Sequence, residues 1–420
     1  MISFVVIGIT DNPRPWFPPE VTDIIRQGKV FSGGKRHHEI VAPLLPPDAE
    51  WIDIAAPLSD VFAQYTRLNS HHISHLSSLT SHLGRIIVFA SGDPLFFGFA
   101  DTIRRKMPEA EIVLFPTFNS LQMLAHRLVM PYHDLRIVSL TGRPWHEFDR
   151  ALIERAAKIG VLTDHKHTPA AIARRMLDYG YNGYTVHIGE HLGNPAEERV
   201  TTLTLEETAA RDFTTPNCLI LTRQANRIEP CQTAAPYGIP DSAFALLDGR
   251  EKMITKMPIR LLTLQALDLP RRHTLWDIGA CTGSVSIEAR LRFPHLQVEA
   301  FEIRPECEAI IRENMRRHGT PGIGIHIGDF LQASLTGEGR PDAVFIGGHG
   351  GRLQEIMARV LTVLPPDGII VMNSVVAPRV ATDSRRLWDD TCRQLGLRQE
   401  PPLHIQLNDH HPITILKCKR

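Results

Sequence analysis

Residues 275–302 combine residue types and spacings that could bind a nucleoside-containing ligand. Asp277 is followed by a glycine-rich stretch, Gly279–Gly283, and an acid, Glu302, comes nineteen residues further on. Leu275–Ile278 predicts a buried strand and Ser284–Phe293 a helix, so the glycines form the turn between them. Such a turn places backbone N–H groups and the positive end of a helix dipole at the carboxyl edge of a sheet. Glu302, at the end of the next predicted strand, can then accept hydrogen bonds from two ribose hydroxyls.

The spacing of this loop favours one cofactor over another. Dinucleotide-binding loops follow the pattern G-x-G-x-x-G, which lets the backbone approach a pyrophosphate. Here the pattern is Asp277-x-Gly279-x-x-x-Gly283, and Asp277 would repel a pyrophosphate but attract an ammonium group. S-adenosylmethionine (SAM) has a ribose, an α-amino group and no phosphate, so we predict a SAM site; a plain strand–turn–helix is the alternative. The predicted cofactor-binding residues are Asp277, Gly279, Ala280, Cys281, Thr282, Gly283 and Glu302.

Two further stretches could complete this site. Thr255 precedes a predicted helix and is either its N-cap or a cofactor contact. Asp329 and Phe330 follow a predicted strand, where a carboxylate and a flat side chain could flank an adenine ring. A simple turn is the alternative there.

A run of four glycines surrounds a histidine after another predicted strand. Gly347 and Gly348 begin this run, which predicts close backbone approach to a ligand or to a packed helix. We assign both glycines to substrate binding. His349 is a candidate general base, although a lone histidine is more often structural, and no catalytic acid or base is assigned beyond it.

The N-terminal half contains a second candidate site. Val88–Gly98 predicts a strand that runs into a turn, with Asp93 at the sheet edge and Gly92 permitting close approach of a ligand. A plain turn is the alternative. Lys35 and Arg36 are candidates for binding substrate carboxylates, because arginine pairs with them in a bidentate manner. The alternative is that Lys35 and Arg36 belong to a solvent-exposed run of charges and have no role in binding.

Two groups of histidines suggest a metal site at first sight. They are His71-His72-x-x-His75 and His410-His411. Two histidines four apart on a helix can bind zinc, but neither a glutamate base nor a third ligand accompanies them. A polar helix face is the favoured interpretation, and no metal is predicted.

Composition argues against several classes of protein. Lysine plus arginine and aspartate plus glutamate both total 46, so no basic excess is available for a nucleic-acid backbone. The first residues lack the features of a signal peptide, and no apolar run is long enough to cross a membrane. The six cysteines have no C-x-x-C spacing, which favours reduced thiols and a cytoplasmic enzyme.

Two blocks of alternating strands and helices flank a connector. The alternation predicts an α/β protein with mostly parallel sheets. Periodicity lapses between Asn226 and Pro240, so we predict one domain over residues 1–226, a linker over 227–237 and a second domain over 238–420. The predicted strands are Ser3–Ile9, Arg85–Ala90, Glu111–Phe115, Leu135–Leu140, Ile159–Thr163, Tyr184–Ile188, Asn217–Leu221, Leu275–Ile278, Gln297–Phe301, Ile323–Ile327, Ala343–Ile346, Ile369–Met372, Leu403–Leu407 and Ile413–Leu416.

The C-terminal block resembles the class I, Rossmann-like SAM methyltransferases. The resemblance is carried by Ile254-Thr255-Lys256, Trp276-Asp277-Ile278-Gly279-Ala280, Gly283-Ser284-Val285-Ser286-Ile287-Glu288 and Phe345-Ile346-Gly347-Gly348. It is similar in particular to the domain of cobalamin biosynthesis that methylates carbon 15 of a tetrapyrrole and removes a carboxyl group. That family usually has glycine at the position of Cys281.

The N-terminal block resembles the class III tetrapyrrole methyltransferases, and specifically those that methylate carbon 5 in the same pathway. The matching stretches are Phe31–His37, Ser91–Gly98, Pro116–Ser120, Ser139–Arg143 and Leu162–Asp164. The resemblance implies two α/β lobes with SAM folded in a cleft. The cofactor residues it implies are Gly8, Ser91, Gly92, Asp93, Phe96, Asn119 and Ser120. The family's first loop, Gly-x-Gly-Pro-Gly, is replaced here by Gly8-Ile9-Thr10-Asp11-Asn12-Pro13.

Together the two resemblances imply a fused enzyme of cobalamin biosynthesis with two SAM sites. It would methylate carbons 5 and 15 of a tetrapyrrole and decarboxylate the ring-C acetate. A homo-oligomer is expected, with neither nucleic acid nor membrane as a partner. The alternatives are a SAM-binding protein, a methyltransferase for another substrate with one domain inactive, an NAD-dependent oxidoreductase and a nucleic-acid methyltransferase.

Overall fold

The chain divides into two compact units in a computed structural model. The structure describes residues 2–72, 85–224, 237–335, 339–375, 384–407 and 412–420. The first unit comprises Met1–Arg143, Ala157–Ala173 and Tyr184–Arg223, and the second comprises Pro144–Ala156, Arg174–Gly183 and Gln224–Arg420. Residues 225–236 lie outside the described residues, so the linker at 227–237 and the domain limits stay predictions. None of the described helices is long and apolar enough to cross a membrane.

The first sheet of the first unit is parallel, with the strand order β3-β2-β4-β1-β5. Its strands are buried on both faces because alternate residues of β1 enter two apolar clusters, Phe4 and Val6 in one, Val5 and Ile7 in the other. Its elements are β1 (Ser3–Ile9), α1 (Pro19–Gln27), β2 (Val30–Gly33), α2 (Lys35–Val41), β3 (Glu50–Asp53), α3 (Leu58–His72), β4 (Arg85–Ser91), α4 (Phe99–Lys106) and β5 (Glu111–Phe115).

The second sheet of this unit departs from the expected parallel arrangement. Its order is β6-β7-β10-β8-β9, and of its four pairs only β6–β7 is parallel. The β8–β9 pair is antiparallel because the two strands are joined by the short connection 191–198, which leaves no room for a crossover helix. The elements that follow β5 are α5 (Ser120–Arg127), β6 (Arg136–Ser139), α6 (His146–Ile153), β7 (Lys158–Leu162), α7 (Pro169–Asp178), β8 (Tyr184–Glu190), β9 (Arg199–Leu203), α8 (Leu205–Ala209) and β10 (Asn217–Arg223).

The second unit is built on an eight-stranded sheet with the order β13-β12-β11-β14-β15-β18-β16, to which β17 adds on β18. The first five strands are parallel, and the C-terminal β18 is antiparallel to β15. Its elements are α9 (Met257–Ala266), β11 (Thr274–Ile278), α10 (Ser284–Arg292), β12 (Gln297–Glu302), α11 (Glu306–Arg317), β13 (Ile323–Ile327), β14 (Ala343–Ile346), α12 (Leu353–Leu361), β15 (Ile369–Val375), α13 (Ser384–Gln394), β16 (Arg398–Gln399), β17 (Leu403–Ile405) and β18 (Ile413–Lys419).

The central strands of this sheet are covered on both faces. Leu275 and Phe345 point into one apolar cluster, whereas their neighbours Trp276 and Ile346 point into another. Such period-two alternation with both sets apolar is the pattern of strands in a doubly wound sheet. The α/β fold class is therefore confirmed, and it brings the loops after β11, β12 and β14 to one edge.

Candidate functional site

A cavity of about 690 Å³, called the second cavity below, opens in the second unit at the sheet edge where the loops after β11, β12 and β14 meet. Thr255 is not a helix N-cap, since α9 begins at Met257 with Lys256 in the cap position. Thr255 lies in the cavity wall instead. Nine residues predicted from the sequence line this cavity: Thr255, Gly279, Cys281, Glu302, Asp329, Phe330, Gly347, Gly348 and His349.

The glycines at this edge permit a close approach between two loops. Gly279 has φ +80°, and a Cβ there would lie 2.6 Å from the backbone nitrogen of Gly348. The Gly347 N–H donates to the carbonyl of Ile278 at 2.8 Å. The four-glycine run thus packs directly on the loop after β11, and the two loops form one wall of the cavity.

Cys281 lines the cavity, and its backbone N–H binds a predicted cofactor acid. Its side chain packs in the apolar cluster that contains Ile311, and burial raises the pKa of the thiol. Its N–H donates to Oε2 of Glu302 at 2.8 Å. Its φ of 51° lies in the left-handed region, which explains why glycine is the easier residue at this position.

Glu302 is held by a full set of donors. Oε1 accepts from the backbone N–H and Nε of Arg304 at 3.1 and 2.8 Å, and Oε2 accepts from Arg304 Nη2 at 3.0 Å. The second bond to Oε2 comes from the N–H of Cys281. Burial raises the pKa of Glu302, but the hydrogen bonds from Arg304 outweigh it and keep this pKa below its ordinary value.

Asp277 and three other predicted cofactor residues do not line the cavity wall. Asp277 is 1% exposed and accepts from Ser286 Oγ at 2.6 Å, while its Oδ1 has no partner among the described residues. Burial, together with a smaller contribution from the charge of Glu302, raises the pKa of this carboxyl to about 6. The other three are Ala280, Thr282 and Gly283; direct cofactor contact by all four stays a prediction.

The residues predicted to flank adenine lie together on the cavity wall. Phe330 packs edge-on against Trp276 and Phe301, with ring centroids 5.9 and 5.1 Å apart. Asp329 accepts two hydrogen bonds from the Arg352 guanidinium at 2.9 and 3.0 Å. These bonds lower the pKa of Asp329, so it carries a charge at neutral pH.

His349 is a wall residue whose protonation state is set by its surroundings. Burial lowers its pKa, so the imidazole is neutral at neutral pH. Nδ1 accepts from the N–H of Gly351 at 3.2 Å, which leaves Nε2 as the protonated nitrogen. A neutral imidazole with Nε2–H can donate to a substrate carboxylate but is a poor proton acceptor at that atom.

A cavity of about 530 Å³ in the first unit, the first cavity, is lined by residues from both of its sheets. Gly8 permits β1 and the loop after β4 to touch, because a Cβ there would lie 2.0 Å from the carbonyl oxygen of Gly92. Asn119 is 8% exposed and caps α5 by accepting from the N–H of Gln122. The predicted residues that line the first cavity are Arg36, Ser91, Gly92, Phe96, Asn119 and Ser120, whereas Gly8, Asp93 and Lys35 lie outside its wall.

A chain of polar contacts crosses one side of the first cavity. Arg36 donates to Asp11 at 2.5 Å and to Ser91 Oγ at 3.0 Å, and His191 Nδ1 lies 2.8 Å from the other oxygen of Asp11. Asp11 belongs to the loop that replaces the family's glycine-rich loop. Arg36 is therefore fixed in the cavity by residues of this chain's own loop, and it can present its remaining N–H groups to an anion.

One group of three possible metal-ligand atoms is found among the described residues, namely Asp11, His191 and Glu197 within 4.8 Å. The guanidinium of Arg36 also contacts Asp11, and its positive charge disfavours a cation there. His75, His410 and His411 lie outside the described residues, as do the side chains of His71 and His72.

Sequence reasoning missed the cations of the second cavity. Arg304, Arg352, Lys252 and Lys256 all line it, and two of them pair with predicted cofactor acids. The sequence offers one signal: Arg304 follows Glu302 by two residues at a strand end, where sites collect. Arg352 is 23 residues from Asp329, so only the fold brings this pair together.

Family models match both halves of the chain. Residues 4–209 match the tetrapyrrole (corrin/porphyrin) methylases, and residues 247–389 match the precorrin methyltransferase domain. These matches, with the two cavities at the edges of α/β sheets, define the class of protein: it is a SAM-dependent methyltransferase.

Similar proteins cover one half of the chain or nearly all of it. A precorrin-6Y C(5,15)-methyltransferase (decarboxylating) of a Sinorhizobium species is 32% identical over 93% of this chain and 88% of its own length. A cobalt-precorrin-6B C(15)-methyltransferase (decarboxylating) of Salmonella typhi is 36% identical over 41% of this chain and 93% of its own. A crystal structure of the Geobacter metallireducens precorrin-6Y C5,15-methyltransferase is 31% identical, with a TM-score of 0.39 over 44% of this chain and 97% of that one. The chain belongs to the family of the decarboxylating precorrin-6Y C(5,15)-methyltransferases.

Proposed function

We propose that this chain methylates precorrin-6, or its cobalt form, at carbons 5 and 15 and decarboxylates the ring-C acetate, giving precorrin-8 in cobalamin biosynthesis. The observation that carries the proposal is the 32% identity to the Sinorhizobium enzyme over both halves of the chain. The first cavity would serve carbon 5, and the second cavity would serve carbon 15 and the decarboxylation. Each cavity would bind one SAM molecule.

The chemistry of the second cavity suits SAM. Gly279 lets the loop after β14 pack against the loop after β11, and both loops then line the cavity with exposed backbone. Asp277, with one unpartnered oxygen, places a negative charge behind the loop, where it would attract the α-amino group and the sulfonium. Glu302 and Asp329 offer carboxylates for ribose and adenine, and Phe330 offers an apolar surface.

For methyl transfer, the main task of the protein is to align the methyl donor with the acceptor carbon. SAM supplies an activated methyl group on a sulfonium, and an electron-rich carbon of the tetrapyrrole forms the new C–C bond as the C–S bond breaks. The cavity walls would hold the two reacting atoms in line and exclude water, which lowers the barrier through proximity and orientation. We therefore assign Gly347 and Gly348, on the wall facing the cofactor loop, to contact with the macrocycle.

Decarboxylation needs a path for the electrons of the breaking C–C bond. As carbon dioxide leaves, these electrons pass into the conjugated macrocycle, which takes up a proton afterwards. His349, neutral and with Nε2 available to donate, could hold the acetate by a hydrogen bond before the bond breaks. The cations of the wall would bind the other carboxylates, because arginine and lysine pair with them.

The product of one reaction tests this function. The full-length protein is incubated with SAM and either metal-free or cobalt-containing precorrin-6, and the product is analysed by mass spectrometry. We expect a gain of two methyl groups and the loss of one carbon dioxide. SAM binding without transfer to either precorrin would favour the alternative of a SAM-binding protein, and a gain of one methyl group would indicate that one site is inactive.

Equilibrium binding should give two cofactor molecules per chain. S-adenosylhomocysteine is titrated into the full-length protein by calorimetry, and the stoichiometry is expected to be near two. Ser120→Trp, which puts a large ring into the first cavity, should lower it to one. The matched control is Ser59→Trp, at an exposed position in α3 that lines neither cavity. A stoichiometry of one in the unmodified chain would contradict the proposal of two sites.

Two further properties remain proposals. We propose a cytoplasmic location, because biosynthetic enzymes that use SAM work where the cofactor is made, and as a separate proposal we expect a homo-oligomer. The oligomeric state can be measured by light scattering on the purified protein. A mass corresponding to one chain over the working concentration range would contradict it.

A further inference from the structure

The carboxylate of Glu302 has no capacity left for a ligand. A carboxylate offers about four lone-pair sites for hydrogen bonds. All are in use: the N–H of Cys281, the N–H of Arg304, and Nε and Nη2 of the same arginine. Two hydroxyls of a ribose can bind Glu302 after two of these donors have left. The two backbone donors are fixed by the loops, whereas the guanidinium is on a flexible side chain that is 33% exposed.

We propose that the guanidinium of Arg304 occupies the position of the two ribose hydroxyls until SAM binds, and that the displaced guanidinium then binds a carboxylate of the tetrapyrrole. The exchange is balanced, since two N–H donors leave Glu302 and two O–H donors replace them. The inference deepens the proposed function of the second cavity and rests on it. It assigns Arg304 as a substrate-binding residue that is masked in the cofactor-free protein.

The surroundings of Arg304 support the second half of this exchange. The residue lies in the cavity wall, with Nη1 3.8 Å from the sulfur of Met253, which is itself a wall residue. Lys252 and Lys256 line the same cavity, so a displaced guanidinium would join other cations. A positive charge in a half-buried wall is costly without an anion, and bidentate pairing with a carboxylate is the pairing for which guanidinium is suited.

A second pair in the same cavity repeats the arrangement. Arg352 forms two hydrogen bonds to Asp329, the carboxylate predicted to lie beside adenine. Both predicted cofactor acids that line the cavity are therefore covered by an arginine of the cavity wall. This repetition favours an exchange mechanism over one accidental ion pair.

The exchange couples the two ligands thermodynamically. SAM must displace Arg304 from Glu302, and this displacement weakens the binding of SAM. A substrate carboxylate that binds the displaced guanidinium restores part of the lost binding free energy. Each ligand therefore increases the affinity for the other by the same factor. Couplings between two binding sites commonly amount to about 5- to 150-fold in affinity.

Arg304→Gln in the full-length protein tests the exchange. Calorimetry with S-adenosylhomocysteine should show about tenfold tighter binding at the second cavity, since the competitor for Glu302 is weakened. The KM for precorrin-6 should rise about tenfold or more, with a smaller change in kcat, because a substrate contact is lost. Unmodified protein should bind uroporphyrin, a stable tetrapyrrole polycarboxylate, more tightly with S-adenosylhomocysteine present, and the variant should lose this difference.

The matched control is Arg312→Gln. Arg312 forms the same kind of pair, with Glu308 at 2.7 Å on α11, but it is exposed and outside the cavity wall. It should change neither the affinity for S-adenosylhomocysteine nor the KM. Unchanged or weaker S-adenosylhomocysteine binding in Arg304→Gln, in a variant whose thermal unfolding is unaltered, would overturn the exchange. Failure of the proposed function is distinguishable, because the unmodified protein would then bind no S-adenosylhomocysteine at the second cavity.

Discussion

Replacing Gly279 by alanine should abolish methylation at carbon 15 together with the loss of carbon dioxide, while methylation at carbon 5 continues. The added Cβ would lie 2.6 Å from the nitrogen of Gly348 and 3.0 Å from its Cα, so the two loops must separate. A displacement of about 1 Å at a site that works by alignment can lower the rate about a hundredfold. The residue's φ of +80° adds strain to any side chain there. The products are separated by mass: one methyl group gained and no carbon dioxide lost is the expected outcome.

Gly249→Ala is the matched control for this change. Gly249 also has a positive φ, +67°, but a Cβ there would meet nothing within 4 Å. The Gly249→Ala variant therefore has the same kind of backbone strain as Gly279→Ala but no steric clash. Methylation at carbon 5 and methylation with decarboxylation at carbon 15 should both be retained. If Gly279→Ala removed methylation at carbon 5 as well, the proposed division of labour between the two cavities would be wrong.

Asp277→Asn should stabilise the cofactor-free protein while weakening SAM binding. The carboxyl has an ordinary pKa of 3.8 in the unfolded chain and a pKa of about 6 in the native state, because burial disfavours its charge. Ionisation therefore destabilises the native state fully above pH 6, and this cost disappears as the pH falls towards 4. Removing the charge should add up to about 3 kcal/mol to the free energy of unfolding at pH 8, and little at pH 4.

Urea unfolding at several pH values measures this effect. The asparagine can still accept the hydrogen bond from Ser286, so the change removes a charge and little volume. Asp248→Asn is the control, since that side chain is 67% exposed and its φ of 49° suits asparagine. A gain in stability that did not vary with pH, or one equal to that of Asp248→Asn, would contradict the burial argument. Weaker S-adenosylhomocysteine binding by the stabilised variant would show that the carboxylate is retained for its ligand.

Local sequence patterns predicted the strands and loops that position the second cavity. Ala343–Ile346 and Ile323–Ile327 have the predicted bounds. The first is a continuous apolar run, typical of a buried parallel strand, and the second is a half-buried edge strand in which isoleucine alternates with other residues. Residues at 30–33, 50–53 and 199–203 were missed as strands. The first two are four residues long, and the third is a half-exposed edge strand rich in threonine, so none gives a strong periodic signal.

Contacts that depend on the whole fold were beyond the reach of these patterns. Nothing in the sequence near Asp329 indicates that Arg352 covers it, because the two lie on loops after different strands. The antiparallel pairing of β8 with β10 is likewise a property of chain direction, which hydrophobic periodicity does not record. Asp277 was predicted to face the cofactor, yet its side chain lies behind the loop and can act there through its charge.

The hydrogen bond between the Cys281 N–H and Glu302 has a consequence for how this site can evolve. A main-chain donor is present whatever side chain is attached to it, so position 281 is free to change wherever a small residue tolerates its backbone conformation. The acceptor has no such freedom, since the contact depends on the side-chain oxygens of Glu302 itself. Among descendants of one ancestor, substitutions should therefore accumulate at 281 and be purged at 302, although the two residues form a single contact. Substitutions at position 281 would then indicate how related sequences descend from one another, whereas an unchanged Glu302 would indicate that the cofactor has been retained.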